Sequence, residues 1–202
     1  MTHLTREDLY SLEKYAEIRP AFRARVIVHK KNRRVPLGEH AALYFEDALT
    51  MQYQIQEMLR IERIFEAKGI QEELDVYNPL IPDGHNWKAT FMVEYADETE
   101  RRDALAKLVG VENAIWMRVE GFDAVHPITN EDLDRSSDDK TASVHFMRFE
   151  LTPEMVAAAK NGAAIAAGID HPNLNVHLSP LPDALRAALA ADLSWEARSR
   201  AE

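Results

Sequence analysis

In WKATFMVEY, residues 87–95, Trp87, Ala89, Phe91, Val93 and Tyr95 alternate with Lys88, Thr90, Met92 and Glu94. A period of two sends successive side chains to opposite faces, so this stretch is a strand with one face buried. SVHFMRFEL, residues 143–151, has the same form. There His145, Met147 and Phe149 share one face, and Val144, Phe146, Arg148 and Glu150 share the other. AIWMRVEGF, residues 114–122, is a third strand, and Leu174, Val176 and Leu178 line one face of a last one. Strands of this kind need a cover over the apolar face, and the remainder of the chain is rich in helix signals.

Thr5 followed by Asp8 has the spacing of a capping box and opens a first helix, with Leu9, Leu12 and Ala16 as its apolar side and Pro20 as its end. Arg25 to Phe45 reads as a hairpin, with arms RVIVH and AALYF, a polar KKNRR turn and a second break at Pro36–Gly38. Glu46 and Asp47 lie in the first turn of a long helix expected to run to about Lys68 before Gly69. A short helix in QEELDVY and a turn-rich NPLIPDG loop follow. DETERRDALAKLVG is a helix closed by Gly110, SSDD (136–139) marks an exposed loop, and Thr152–Pro153 opens another helix. Residues 163–173 fit either class. Pro182 starts a terminal helix in which Leu185, Leu189 and Leu193 recur every four residues. The fold class is α+β. It reads as a single domain over 1–202: a mostly helical 1–80 with a hairpin, a mainly antiparallel sheet with helices over 81–180, and a terminal helix over 181–202.

A net charge of −10 argues against a general nucleic-acid binder, because counterion release needs a cationic face. The absence of cysteine excludes disulfides, cysteine catalysis and iron–sulfur ligation by this chain. MTHLTREDLY is charged within six residues, so no secretory signal is expected. No apolar run approaches the roughly 18 residues of a spanning helix, so a soluble, cytoplasmic protein without a membrane partner is expected.

Glycine-rich phosphate loops, nucleophile elbows, paired-histidine zinc motifs and calcium loops are all missing, as is the Glu-x-x-His of di-iron bundles. The best lead is QIQEMLRIERIFE, residues 54–66. At about 100° per residue, Met51, Met58 and Leu59 fall within about 60° of Ile55, and so does Glu62. Glu66 follows one turn later on the same stripe. Glu62 is therefore expected to be buried. It is either in an internal ion pair, with an arginine such as Arg118 or Arg148 reaching from the sheet, or part of a site. In the second case Glu62, Glu66, His145 and Arg148 would line a pocket between helix and sheet, with Glu62, Glu66 and His145 able to ligate iron, manganese or zinc. A lone histidine on an apolar face is more often a hydrogen-bonded core residue than a ligand. HKKNRR, residues 29–34, is the one dense cationic cluster. Its Arg33 and Arg34 would hold an anion or an acidic partner surface, or else simply mark a solvated turn. Gln52, Gln56, Arg60 and Arg63 form the hydrophilic stripe of the long helix, as an exposed or partner-facing side would.

FEDALTMQYQIQEMLRIERIFE followed by GIQEELDVYNPLIPDG resembles a bacterial family known as a domain of unknown function. The likeness extends through RVIVHKKNRRVPLG, ERRDAL and KTASVHFMRFEL, over most of residues 1–180. Genes of that family often sit beside those for rubrerythrin-like proteins and for iron–sulfur proteins similar to heterodisulfide-reductase subunits. By association, the resemblance implies an accessory or interaction role in peroxide handling or electron transfer, with a redox protein as partner. It implies no catalytic residues. The alternative is a small-molecule enzyme or metal-binding protein built on the carboxylate–histidine pocket.

Overall fold

The structure, a computed structural model, describes residues 3–129, 131 and 140–194. The SSDD loop and the end of the expected terminal helix lie outside these residues. The α+β class holds. The strands form two antiparallel sheets. The larger has the order β1 (Arg34–Pro36), β2 (Ala41–Phe45), β3 (Asn86–Val93), β6 (Val144–Glu150), β5 (Ile128–Thr129). The smaller has the order β4 (Ile115–Val119), β7 (Ile165–His171), β8 (Leu174–Leu178). The ambiguous stretch after residue 163 is thus a strand, buried on both faces over most of its length, which is why it shows no alternation.

The expected faces of β3 and β6 are the observed ones. Trp87 lies opposite Phe149, Ala89 opposite Met147 and Phe91 opposite His145, all pointing into one core. Ile115, Met117, Ile165, Ala167 and Ile169 of the smaller sheet face that same core. Helices α6 (Pro153–Lys160) and α7 (Asp183–Ala191) close it through Val156, Leu185 and Leu189, and Trp87 Nε1 donates to the Leu189 carbonyl at 2.9 Å. On the other side of the smaller sheet the indole of Trp116 lies against Gly168, where a Cβ would come within 2.3 Å of the ring.

The N-terminal helices depart from their expected boundaries. The Thr5–Asp8 box caps only a short turn, Arg6–Asp8. Helix α1 then runs Leu12–Lys30 straight through Pro20. Residues 25–29 are therefore helix and not a hairpin arm, and the hairpin is the shorter β1–β2 pair. An internal proline forfeits one hydrogen bond and costs about 3 kcal/mol. Burial of Phe22 and Val26 beyond it, against Leu49 and Tyr53, offsets that cost.

The long helix also ends early. Helix α2 (Ala48–Ile61), capped by Asp47, stops with Glu62 as its C-cap and Arg63 at φ 55°, and α3 (Ala67–Tyr77) begins after Glu66. Gly69, read as a helix terminator, sits inside α3, where a Cβ would meet Ile64 at 2.7 Å. The turn lets Ile64, Ile70 and Leu74 pack back onto Ile55 and Leu59, contacts that a straight helix would lose. Two side-chain amides bind the N-terminal segment to these helices. Asn78 Oδ1 accepts from Leu4 N and its Nδ2 donates to Leu4 O, at 2.8 and 2.9 Å. Gln56 does the same for Tyr10.

Replacing Gly168 with alanine is expected to lower unfolding free energy by about 1–3 kcal/mol, the usual cost of overpacking. Urea denaturation measures it, and an unchanged midpoint would show that Trp116 moves aside freely.

Candidate functional site

Arg33 leaves the C-terminal end of α1 and is only 5% exposed. Its guanidinium donates to both carboxylate oxygens of Asp192, at 2.8 and 2.6 Å, and its NH2 lies 2.8 Å from Asp47. His29 Nε2 reaches the same Asp47 at 2.5 Å. Beside them the buried Glu46 accepts from the Thr50 and Thr90 hydroxyls at 2.7 and 2.9 Å. Burial opposes the charge on Arg33, but the Asp192 hydrogen bonds and the Asp192 and Asp47 charges outweigh it and hold the group protonated. Burial pushes the Asp192 carboxyl above the usual carboxylate range despite the pull of Arg33. HKKNRR is therefore not simply a solvated turn. Its Arg33 ties α1, the start of α2 and the end of α7 together, while Arg34 is exposed and contacts Tyr44 and Glu94.

The internal ion pair expected of Glu62 is made by Glu57. Its carboxylate accepts from Arg19 Nε and NH2 at 2.7 and 2.8 Å and from the Tyr15 hydroxyl at 2.8 Å. Hydrogen bonds from Arg19 hold it at a pKa of about 2, with Tyr15 and Arg60 adding to the effect. The desolvated Tyr15 hydroxyl, facing that carboxylate, is pushed up.

Glu62 and Glu66 are exposed in the α2–α3 turn. The stripe that places them inside requires the helix to continue to about Lys68, but it ends at Ile61. Glu62 lies near Glu73, whose carboxyl is raised by burial first and then by the charges of Glu62 and Glu72. His145 is fully buried on β6. Its Nε2 faces Ala142 O at 3.1 Å and so carries a proton there. It also donates to Thr141 Oγ1 at 2.8 Å, which donates onward to the buried Glu112 at 3.3 Å. This chain links residues with no sequence signal between them, 29 positions apart from Glu112 to Thr141. Arg148 points to the other face of β6, paired with Glu131 at 2.6 Å and with Glu150. Glu62, Glu66, His145 and Arg148 thus do not form a pocket. Among the described residues no three His, Asp or Glu side chains converge as a metal site. Gln56, read as exposed, is buried in its clasp with Tyr10. Gln52 donates to Asp8 O, Arg60 braces Glu57, and Arg63 occupies the left-handed turn.

Residues 25–29 have a strand-like pattern but are helix, and this gives the molecule a further surface feature. The outward side of the last two turns of α1 exposes Ile27 and Val28 beside Arg23, Arg25 and Lys31. At about 100° per residue, Ile27, Lys31 and Val28 fall within about 100° of one another on the side away from the buried Phe22 and Val26, with Arg23 and Arg25 at the two edges of that stripe.

The family described as "Protein of unknown function (DUF3501)" matches residues 3–193. The chain belongs to that family. It is similar to a novel protein of unknown function from Burkholderia pseudomallei K96243, whose crystal structure superposes with a TM-score of 0.90 at 49% identity. The match covers 96% of this chain and 100% of that one. No curated protein matches this DUF3501 chain. In this DUF3501 fold no described helix is long and apolar enough to cross a membrane.

Arg33→Ala leaves two carboxylates facing each other without their cation. It is expected to cost about 3–5 kcal/mol, whereas Glu62→Gln on the exposed turn should stay within about 0.5 kcal/mol. Equal effects in chemical denaturation would contradict the placement of both residues. For Glu57, a folded-state pKa below the ordinary 4.5 means that its contribution is present above pH 4.5 and lost as pH falls toward about 2. The urea midpoint of the wild type should therefore fall more steeply over that window than that of Glu57→Gln.

Proposed function

We propose that the protein is an accessory interaction protein of a bacterial redox or peroxide-handling system, and that it docks an acidic partner through the exposed end of α1. The observation that carries this reading is the pairing of bare aliphatic and cationic side chains there. Val28 is 63% and Ile27 45% exposed on a helix whose inner side already has its own core. Arg23, Arg25 and Lys31 beside them form no ion pair among the described residues. In a chain of net charge −10, a cationic stripe is a local exception. Such a stripe steers an acidic surface into contact, and aliphatic side chains at its centre supply apolar area to bury once contact is made. The redox character of the partner rests on the family resemblance and its gene neighbours alone.

The test is affinity capture from native bacterial extract with wild type and with a Val28→Asp, Lys31→Glu double variant, identifying retained proteins by mass spectrometry. A rubrerythrin-like or iron–sulfur protein held by the wild type, released by salt and absent with the variant is the expected result. Recovery of the same redox protein on both baits would move the docking surface elsewhere. Recovery of no redox protein would remove the reading.

A further inference from the structure

A cleft of about 600 Å³ opens between helix α4 (Glu98–Lys107) and the adjoining ends of β2, β3 and β8, on a side of the molecule that plays no part in the docking surface above. Its wall is an aromatic pair. His40 and Tyr95 stack with ring centroids 4.0 Å apart at 18°. Its floor is apolar, made by Ala41, Val93, Leu108 and Leu174. Its rim carries Glu39, Glu100 and Asp103 against the single ammonium of Lys107.

The hydrogen bonding of the wall sets what it offers a ligand. His40 Nδ1 lies 3.1 Å from the Glu94 carbonyl, which can only accept, so Nδ1 carries a proton and the ring is held with its Nε2 3.9 Å from the Glu39 carboxylate. Asn173 donates its Nδ2 to the Lys107 carbonyl at 2.7 Å, which leaves its Oδ1 as an acceptor. Three carboxylates, with Glu39 beside His40 Nε2 and Asp103 3.5 Å from Arg102 Nε, and an amide oxygen therefore surround an apolar floor and a π-face, with Lys107 the one lysine of the lining. An anion would meet repulsion here. A neutral apolar molecule would gain only the contact with the floor and wall and nothing from the rim charges. A flat cation would stack on the His40–Tyr95 wall, give its N–H groups to the acceptors and set its apolar body on the floor.

We propose that this cleft binds a small organic cation, a protonated amidine, guanidine or amine on a flat or aliphatic body. The probe is benzamidine, compared with benzyl alcohol and benzoate as neutral and anionic molecules of similar shape, by titration calorimetry and thermal shift on the full chain. Benzamidine is expected to bind the wild type and raise its Tm, with the other two producing no shift. The Glu100→Gln, Asp103→Asn double variant removes two exposed charges without touching the core, and should bind benzamidine roughly tenfold more weakly, about 1.4 kcal/mol. His40→Ala should weaken it as well, by opening the stack. Equal binding of benzamidine and benzyl alcohol, undiminished binding by the double variant, or no binding of benzamidine at millimolar concentration would each overturn the proposal.

Discussion

A guanidinium that has given up water must be met on every side, and Arg33 is met by Asp192 and Asp47. Each buried ion costs several kcal/mol to desolvate, so any arrangement that separates the three is heavily penalised. This is a strong geometric constraint. Asp47 is also the N-cap of α2, and Asp192 the C-cap of α7, so the guanidinium sets where two helices begin and end relative to the first strand. The ion cluster adds little net stability compared with an apolar equivalent. What it supplies is a single permitted relation between helices and sheets.

Around that point the molecule divides its apolar groups into one large and two small cores. The facing sheets bury Phe45, Trp87, Phe91 and Phe149, while α1, α2 and α3 bury smaller clusters of their own, Tyr15 and Phe22 among them. Helices with small cores depend on polar contacts for their registration. The Glu57 carboxylate does this between α1 and α2, receiving Arg19, Tyr15 and Arg60 together. Because α1 spends one side on these contacts, its opposite side is left bare.

The strands were legible because a half-buried strand writes its environment into a period of two, and Trp87, Phe91, Met147 and Phe149 all face as their alternation demands. The helical boundaries were not. Pro20 is a breaker by local rules, yet the packing of Phe22 and Val26 carries the helix past it. Glu62 sits on an apolar stripe only if the helix continues, and the packing of Ile64 against Gly69 stops it. With that boundary Glu62 and Glu66 move to the surface, while His145 and Arg148 point to opposite faces of β6. The polar clusters that do exist, Arg33 with Asp192 and Glu112 with Thr141 and His145, join positions far apart in the chain. No spacing rule connects them, and only the tertiary fold brings them together.

The clasp of Asn78 on Leu4 has a chemical consequence of its own. Conversion of an asparagine to aspartate normally proceeds through attack of the following backbone nitrogen on the side-chain amide, closing a succinimide ring. The residue after Asn78 is Pro79, whose nitrogen bears no hydrogen. An amide that must keep both its donor and its acceptor is thus placed where that common ageing reaction is blocked, and the anchorage of the N-terminal segment is protected from slow covalent decay.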